Sequence, residues 1–197
     1  FGGKNLLTHK IDQLQQVSAI SSIVVSSDCE EMLFMAQSHG ASIHRRSDEF
    51  CDEMSQPFGS VVAHICKNIV GVHVLWATCT SPLVEPRDYT DAISTYLNQI
   101  ENGYDSLMSV EPFQRYLWTE EGPLNYELGI KHVPSQELPV YYRVTDGILM
   151  APRKKMIEWQ YFHGAKPFKY PMSKRASIDI DDRLDLECAR AMLSLHD

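Results

Sequence analysis

The sequence lacks both a long hydrophobic run and an excess of positive charge. Its longest apolar stretch, Ile69–Ala77, contains a histidine and is far shorter than the roughly 20 residues that span a bilayer. Lysine and arginine number 18 against 26 aspartates and glutamates, which gives a formal net charge of −8. A field of this sign repels phosphate backbones and anionic lipid headgroups. We therefore expect no transmembrane helix, no membrane partner and no nucleic-acid partner.

Cysteine is scarce, and several catalytic fingerprints are missing. The five cysteines are scattered and form no CxxC pair or zinc-finger spacing, so we interpret them as reduced thiols of a cytoplasmic protein. The eight histidines form no HxxxH or HxH pair, which argues against a zinc site. The sequence has no GxSxG elbow, Walker loop or GxGxxG fingerprint. A hydrolase triad and a dinucleotide site both lose support.

What is present is the composition of a folded protein, with 44% hydrophobic and 22% charged residues. Apolar spacing predicts helices, and β-branched runs predict strands. The helices are expected at 6–19, 28–40, 58–70, 89–100 (with Asp88 as N-cap), near 152 and at 184–193, and the strands at 22–27, 41–44, 72–77, 106–110, 148–150 and 177–180. This order predicts one α/β domain over residues 1–197, with a doubly wound, mostly parallel, Rossmann-like sheet and right-handed crossovers.

Residues 112–139 interrupt the alternation. The segment has no clear periodicity and is rich in glycine, proline and aromatic residues. We interpret it as an excursion from the sheet, a hairpin arm used for self-association, because exposed aromatic side chains are enriched at interfaces. The alternative is an aromatic loop that packs on its own domain.

The segment Ser177–Asp182 carries the sharpest group of polar residues. On a strand, side chains alternate between faces, so Asp179 and Asp181 are expected to point the same way. Paired carboxylates at the carboxyl end of a strand suit Mg²⁺ shared with nucleotide phosphates. The alternative is that Asp181 or Asp182 caps the last helix, with Asp185 in its first turn.

Two further groups are candidate ligand contacts. The turn Thr78–Pro82 follows a predicted central strand, where small hydroxyl residues can approach a ligand at the sheet edge. Turn formation by itself also selects such residues. Arg45 and Arg46 follow a short predicted strand and can meet a nucleobase or a phosphate, although adjacent arginines also form solvated faces.

Four blocks of sequence then stand in a recognisable order. They are Gly3–Leu6 at the start of a helix, Val24–Glu31, Thr80–Leu83 after the central strand, and Ser177–Asp181 before the last helix. A looser match is the Arg-Arg pair followed by Asp48–Phe50, similar to an Arg-Arg-Pro segment. Together the blocks resemble the acylneuraminate cytidylyltransferases, also called CMP-sialic acid synthetases. The resemblance covers nearly the whole chain, and Ser-Ile-Asp-Ile-Asp is its most specific part.

The resemblance implies a nucleotidyltransferase that couples CTP to the anomeric hydroxyl of an acidic nine-carbon sugar and releases pyrophosphate. It implies Mg²⁺ as cofactor, with Asp179 and Asp181 as its ligands and as catalytic residues, since this chemistry depends on positioning and on neutralising phosphate charge. Substrate contacts are expected from Thr78, Thr80, Ser81, Arg45, Arg46, Ser55, Tyr142, Asp146 and Gly147. With the arm at 112–139, we also expect a homodimer.

Three departures from the family pattern concern the sugar. Thr78 stands where the family shows the glutamine of Gln-Pro-Thr-Ser-Pro, and Asp146 stands where it shows asparagine. The segment before Pro139 lacks the arginine expected to meet the sugar carboxylate, and loss of a bidentate arginine is not neutral. We therefore expect a different nonulosonic acid, such as a legionaminic or pseudaminic type, or another acid sugar.

A fourth departure concerns the phosphate-binding loop. Lys4 lies 24 positions before Asp28, a spacing that matches the start of the family's first helix and places the loop upstream of Phe1. We expect one strand and this loop there, as the first βα unit of the sheet. The alternative function is a catalytically silent relative that binds a nucleotide or a protein partner. A third possibility is a nucleotidyltransferase that uses another base.

Overall fold

The computed structural model describes residues 1–51 and 55–194. The helices are α1 (Leu6–Gln15), α2 (Glu30–Ser38), α3 (Phe58–Asn68), α4 (Pro86–Glu101), α5 (Arg153–Trp159) and α6 (Arg183–Ser194). The strands are β1 (Val24–Ser27), β2 (Ser42–Arg45), β3 (His73–Trp76), β4 (Ser106–Phe113), β5 (Trp118–Thr119), β6 (Gly122–Pro123), β7 (Tyr141–Pro152) and β8 (Pro167–Pro171). The predicted alternation of helix and strand is confirmed through α4 and β4.

Four strands form the main sheet in the order β3-β7-β4-β8. β4 and β8 are parallel, whereas β7 is antiparallel to both β3 and β4. Hence β3, β4 and β8 run in one direction, and the α/β fold with a mostly parallel sheet is confirmed. The reversal at β7 has a simple cause: the chain returns from the arm directly beside β4, so no crossover helix separates the two strands.

Both faces of the main sheet are covered by helices. Along β7, Ile148 and Met150 pack in the core cluster that includes α4, while Leu149 and Ala151 pack in the cluster that includes α3 and α5. This alternation with a period of two is the pattern of a strand buried on both faces. The core therefore lies in two layers, one on each side of β7.

β1 and β2 form a separate parallel pair. Between β1 and β3 lies an apolar cleft of about 610 Å³, lined also by residues of α1 such as Leu7 and Ile11. Among the described residues, β1 and β3 are each the last strand of their sheet on the side that lines the cleft. The strand and loop expected upstream of Phe1 stay a prediction.

The α4 N-terminus corrects one sequence expectation. Glu85 is the N-cap, and the Asp88 carboxylate accepts a hydrogen bond from the Glu85 amide at 2.8 Å, which completes a capping box. The N-cap predicted at Asp88 is therefore wrong, because this residue occupies the third helical position. The box fixes the start of the helix, whose inner face then buries Tyr89 and Tyr96.

The strand predicted at 177–180 is also wrong. The last strand is β8, and after it Ser173–Ser177 forms a turn in which the Ser177 amide and hydroxyl both donate to the Ser173 carbonyl, at 2.9 and 2.8 Å. Residues 178–182 then follow an irregular path to α6. The turn uses the main-chain groups that a strand would offer to a neighbour, so no ladder forms there.

The arm between β4 and β7 carries the short hairpin β5-β6. Its aromatic side chains contact one another: Tyr116 packs on Tyr126 and His132, and the Trp118 indole donates to the Tyr126 hydroxyl. Large apolar side chains outside this group are exposed, namely Leu124, Leu128 and Ile130. The predicted boundary at residue 112 falls inside β4, which continues to Phe113.

The structure also bears on two features of the composition, the cysteines and the hydrophobic runs. Each of the five cysteines is a free thiol. Within residues 1–51 and 55–194, no helix has both the length and the apolarity that a bilayer crossing requires. The longest one, α4, has 16 residues and carries charged side chains along its exposed face.

Candidate active site

The turn after β3 holds two hydroxyl groups together. Thr78 Oγ1 lies 3.0 Å from Ser81 Oγ and 3.3 Å from the main-chain oxygen of Asp146. Ser81 is only 1% exposed, whereas Thr78 and Thr80 are half-buried. The turn is thus a fixed part of the site, and Thr78 and Thr80 supply its more accessible hydroxyl groups.

A bulge in β7 places Asp146 beside this turn. The register of β4 against β7 shifts around Ser109, whose fully buried hydroxyl accepts hydrogen bonds from Thr145 Oγ1 at 2.8 Å and from the Ile148 amide at 2.9 Å. Asp146 has φ = 50°, a left-handed conformation that aspartate adopts more readily than most residues. The bulge turns this residue out of the ladder and toward the site.

Gly147 allows β7 to approach the turn closely. A Cβ atom at this position would lie 3.0 Å from Val84 Cγ2 and 3.6 Å from Ser81 Cβ. The first of these distances is tighter than ordinary van der Waals contact, so a side chain would push β7 away from the turn. Gly147 therefore acts on the site through packing.

Asp179 reaches the same turn from the segment after β8. The Ile180 amide donates to the Thr80 carbonyl at 2.9 Å, and this main-chain bond attaches the segment to the turn. The Ser81 hydroxyl then lies 3.4 Å from Asp179 Oδ1, as a long hydrogen bond. Asp179 and the Thr78–Pro82 turn, which are far apart in sequence, are thus brought together in the structure.

Arg143 supports this segment from β7. Its Nη2 donates to the Ser177 carbonyl at 2.9 Å and to Glu111 Oε2 at 2.7 Å, while Nε donates to the same carboxylate oxygen at 3.0 Å. The rigid guanidinium group therefore fixes the end of the turn that precedes Asp179. Sequence reasoning missed Arg143, because its partners are set by the pairing of β7 with β4.

Helix capping occupies a different pair of carboxylates. Asp182 Oδ1 accepts from the Asp185 amide at 3.0 Å, and Asp185 Oδ2 accepts from the amides of Asp181 and Asp182 at 3.2 Å each. The cap of α6 thus consists of Asp182 and Asp185. The carboxylates of Asp179 and Asp181 are not part of it.

The carboxylates of three aspartates influence one another. Loss of solvent around its carboxyl group raises the pKa of Asp146, and the charges of Asp179 and Asp181 raise it further. Asp146 therefore shares one electrostatic region with the two aspartates of the Ser-Ile-Asp-Ile-Asp block. A cation placed there would relieve their repulsion.

The donor set suits one class of cation. In the described part of the chain, no three His, Cys, Asp or Glu side chains converge closely enough to enclose a metal ion. Mg²⁺ keeps several waters and is usually held by one or two carboxylates together with substrate phosphates. Asp179 and Asp181 therefore fit Mg²⁺ that arrives with a nucleotide, and they do not fit a metal that the protein encloses by itself.

The predicted arginines lie on the other side of the site. Arg46 lines the cleft between β1 and β3 together with Thr78 and Thr80, whereas Arg45 is exposed and forms an ion pair with Glu30. The Arg46 amide donates to the Ser27 carbonyl at 3.0 Å, which fixes its backbone at the end of β1. The structure thus brings Arg46 to the cleft and leaves Arg45 at the surface.

Two predicted substrate residues are on elements other than the turn after β3. Ser55 is exposed in the turn that precedes α3. Tyr142 is 46% exposed on β7, and Lys169 Nζ lies 5.6 Å from the centre of its ring.

Three side chains of α1 lie within hydrogen-bond distance of main-chain carbonyl groups of the turn, and sequence reasoning missed them. His9 Nε2 lies 3.0 Å from the Pro82 carbonyl, and Gln13 Nε2 donates to the same oxygen at 2.9 Å. Lys10 Nζ donates to the Ser81 carbonyl at 2.9 Å. The available signal was a lysine in register with the apolar stripe of this helix, three residues before the buried Gln13.

A family model now adds to this geometry. The model described as cytidylyltransferase matches residues 1–127 of the chain, which is more than half of its length. The chain belongs to the cytidylyltransferase family. The match contains the Thr78–Pro82 turn and both arginines, while the three aspartates lie beyond it.

Curated relatives of this cytidylyltransferase family member span most of its sequence. An N-acylneuraminate cytidylyltransferase A of Danio rerio is 26% identical over 176 residues, which are 85% of this chain and 40% of that protein. A CMP-N,N'-diacetyllegionaminic acid synthase of Legionella pneumophila is 26% identical over 208 residues, covering 98% of this chain and 87% of that protein. A Campylobacter jejuni pseudaminic acid cytidylyltransferase is 22% identical, covering 100% and 88%. The chain spans less than half of the Danio rerio relative and of an Escherichia coli N-acylneuraminate cytidylyltransferase, of which it covers 45%.

Solved structures share the fold. A CMP:2-keto-3-deoxy-manno-octonic acid synthetase complexed with CTP superposes with a TM-score of 0.67 at 12% identity, covering 98% of this chain and 88% of that chain. A 4-diphosphocytidyl-2C-methyl-D-erythritol synthase from Anaerococcus prevotii has a TM-score of 0.68 at 11% identity, with the same coverage. The cytidylyltransferase architecture of this chain is therefore shown by both its sequence and its fold.

Proposed function

We propose that the protein transfers a cytidylyl group from CTP to the anomeric hydroxyl of a nonulosonic acid sugar and releases pyrophosphate. The observation that carries this proposal is the contact of Asp146 and Asp179 with the Thr78–Ser81 turn, with the charge of Asp181 acting on Asp146, in a chain of the cytidylyltransferase family. The curated relatives, which are an N-acylneuraminate cytidylyltransferase, a pseudaminic acid cytidylyltransferase and a CMP-N,N'-diacetyllegionaminic acid synthase, support this class of acceptor.

The proposed chemistry needs little covalent participation from the protein. The sugar hydroxyl attacks the α-phosphorus in line, a P–O bond forms, and the bond to pyrophosphate breaks. Asp179 and Asp181 would hold Mg²⁺, which neutralises phosphate charge when bound. The chain itself orients the substrates, with the Thr78 and Thr80 hydroxyl groups at the turn and Arg46 on the opposite side of the cleft.

The acceptor is proposed to differ from sialic acid in its contacts. Thr78, which has a hydroxyl side chain, is the first residue of the turn, and its Oγ1 lies 3.3 Å from the Asp146 carbonyl oxygen. Asp146 is an acid at a position where the resemblance expects an amide. An acidic sugar therefore meets more negative charge here, which favours acceptors with an additional substituent that can donate a hydrogen bond to Asp146, such as the second acylamino group of an N,N'-diacetyl sugar.

We extend the proposal to the assembly and the missing strand. Exposed Leu128 and Ile130 on the arm support a homodimer through residues 112–139, and a Leu128→Asp change is expected to convert a dimeric mass in light scattering into a monomeric one. The two sheet edges at the cleft support one extended strand between β1 and β3, supplied upstream of Phe1. Five free thiols support the cytoplasm as its compartment.

The deciding experiment measures pyrophosphate release by the complete native protein. Each of the four nucleoside triphosphates is offered with Mg²⁺ and with N-acetylneuraminic, legionaminic and pseudaminic acids in turn. Release that requires CTP and one of these sugars is the expected result. No release with any combination, from a folded protein that contains the upstream loop, would favour the catalytically silent relative.

A further inference from the structure

Lys10 is an unusual residue for its location. It lies on α1 with 3% of its surface exposed, although lysine is almost never fully buried unless it has partners. Its ammonium group donates to the Ser81 carbonyl at 2.9 Å and to the Tyr89 hydroxyl at 2.7 Å. Neither partner carries a full charge, so both contacts are hydrogen bonds rather than ion pairs.

Both partners of Lys10 belong to the region that builds the candidate site. Ser81 is the turn residue whose hydroxyl contacts Asp179, and Tyr89 lies on α4 and is fully buried. Lys10 therefore ties three pieces of chain together: α1, the turn after β3, and α4. His9 and Gln13 add two contacts to the next carbonyl, that of Pro82.

The turn residues that Lys10 holds also contact the segment that carries Asp179. Thr80, which precedes Ser81, accepts the Ile180 amide at 2.9 Å, and the Ser81 hydroxyl lies 3.4 Å from Asp179 Oδ1. A shift of the Ser81 carbonyl therefore moves both contacts of the Asp179 segment. The route from Lys10 to Asp179 consists of two hydrogen bonds that are joined by the covalent bonds of Ser81.

We propose that Lys10 is a positioning residue, which holds the Ser81 carbonyl and the Tyr89 hydroxyl so that the turn after β3 presents Ser81 and Thr80 to the Asp179 segment. An apolar side chain of the same length would fill this space without the cost of burying an amine. The hydrogen bonds to the turn are what such a side chain would not supply.

The charges around Lys10 are consistent with this role. Burial lowers the pKa of Lys10 to about 7, while the nearby Cys79 and Asp88 act in the opposite direction. On its own helix, the neighbouring titratable group is His9, whose pKa is lowered by burial. Tyr89 faces it from α4 as a neutral hydroxyl. Burial thus makes the ammonium group costly, and its retention points to the contacts that it makes.

The first test compares Lys10→Met with Lys67→Met, a change of an exposed lysine on α3. Both variants are expected to fold. Lys67→Met should have the thermal midpoint of the parent, and Lys10→Met should have the same midpoint or a higher one. Hydrogen exchange at the Ile180 amide, followed by mass spectrometry of the 178–182 segment, is expected to accelerate about tenfold in Lys10→Met only. Unchanged exchange in a folded Lys10→Met would overturn the proposal.

The second test is kinetic and rests on the proposed function. In Lys10→Met, kcat for pyrophosphate release is expected to fall at least about tenfold while KM for CTP changes less than about threefold, because the loss concerns the orientation of the Asp179 segment. If Lys10→Met and Lys67→Met lose the same fraction of kcat per folded molecule, the positioning role of Lys10 is contradicted. If the parent itself releases no pyrophosphate, the proposed function fails. Hydrogen exchange at the Ile180 amide then decides by itself whether Lys10 is a positioning residue.

A third variant covers the case in which Lys10→Met does not fold. Tyr89→Phe removes one partner of Lys10 and leaves the Ser81 contact and the ring in place. Exchange at Ile180 is expected to accelerate about threefold in this variant. A folded Tyr89→Phe whose Ile180 amide exchanges at the parent rate would count against a positioning role.

Discussion

The two sides of the candidate site are built in different ways. On the carboxylate side, Asp146 and Asp179 are held by backbone features: a bulge closed by Ser109, a turn fixed by Arg143, and a main-chain bond to Thr80. On the arginine side, Arg46 is half-buried, whereas Arg45 is exposed and forms an ion pair with the exposed Glu30. The carboxylate side is therefore organised before any ligand binds, whereas the arginine side includes a long, solvated side chain, that of Arg45.

This difference separates two contributions to function. Groups that must neutralise charge during the reaction work best when they need no reorganisation, because the cost of ordering them has been met during folding. Groups that capture a substrate from solution can remain mobile, since binding itself orders them. We therefore expect changes on the carboxylate side to act mainly on kcat, and changes on the arginine side to act mainly on KM for CTP.

The largest effect is expected from the aspartates after β8. Asp179→Asn and Asp181→Asn should each lower kcat for pyrophosphate release by about a thousandfold, because each removes a charged oxygen ligand while keeping the shape of the side chain. The free energy of unfolding should change by less than about 0.5 kcal/mol. Steady-state kinetics and urea unfolding measure the two quantities.

The matched control for these variants is Asp182→Asn. Asn caps a helix as well as Asp does, and Asp182 belongs to the cap of α6. This variant should keep at least half of the parent activity. A loss as large as that of Asp179→Asn would show that the cap, and not the carboxylate pair, is what the reaction needs.

A stability effect of intermediate size is expected at the close approach of β7 to the turn. Gly147→Ala should lower the free energy of unfolding by about 1–3 kcal/mol, because the added methyl group lies 3.0 Å from Val84 Cγ2. Gly129→Ala, at a glycine with no atom within 4 Å of the corresponding position, serves as the control and should change it by less than about 0.5 kcal/mol. Equal effects in urea unfolding would refute the packing argument.

A smaller, pH-dependent effect is expected at Asp146. Its pKa is raised in the folded state, so the folded protein binds more protons than the unfolded one between the two pKa values. The contribution of Asp146 to the free energy of unfolding therefore falls as the pH rises through that interval, and at pH 7 the full loss is present. Asp146→Asn should raise the free energy of unfolding at pH 7 by a few tenths of a kcal/mol, after allowance for solvent screening, and not at pH 3.

The comparison for Asp146→Asn is Asp48→Asn, which changes an exposed acid on the arginine side. Urea unfolding at the two pH values should separate the variants, because burial and the charges of Asp179 and Asp181 act on Asp146, whereas Asp48 is exposed to solvent. A gain of equal size at pH 3 and pH 7 would disprove the electrostatic origin.

The smallest effect on stability is expected at the exposed arginine. Arg45→Ala should change the free energy of unfolding by less than about 0.5 kcal/mol, since its pair with Glu30 is solvated on both sides. KM for CTP should nevertheless rise several-fold. Arg190→Ala, which removes a comparable exposed pair with Glu187 on α6, should leave KM unchanged.

Sequence patterns predicted the elements whose contacts are local. α3 and α4 and the strands β1 and β3 were recognised within a few residues, because periodicity and turn residues determine them directly. The antiparallel β7 was not recognised beyond residues 148–150, since its polar first half is stabilised by pairing with β4, far away in sequence. Such pairing leaves little trace in a local pattern.

The candidate site was predictable in part for the same reason. Asp179 and Thr78 stood out because their residue types suit ligand binding after a strand. The path of residues 177–182 was misjudged as a strand, so the alternation of a strand no longer supports the inference that Asp179 and Asp181 share a face. Lys10 and Arg143 were missed, because their importance lies in partners 71 and 34 residues away.

The hydrogen bond between Ser81 and Asp179 spans 98 positions of the chain. Closing so long a loop has an entropic cost that is met only after the intervening strands have paired. The turn after β3 is thus synthesised well before Asp179, the residue that its Ser81 hydroxyl contacts. The carboxylate cluster forms only when the segment after β8 has packed on this turn, so we expect a chain that stops before that segment to lack the proposed activity.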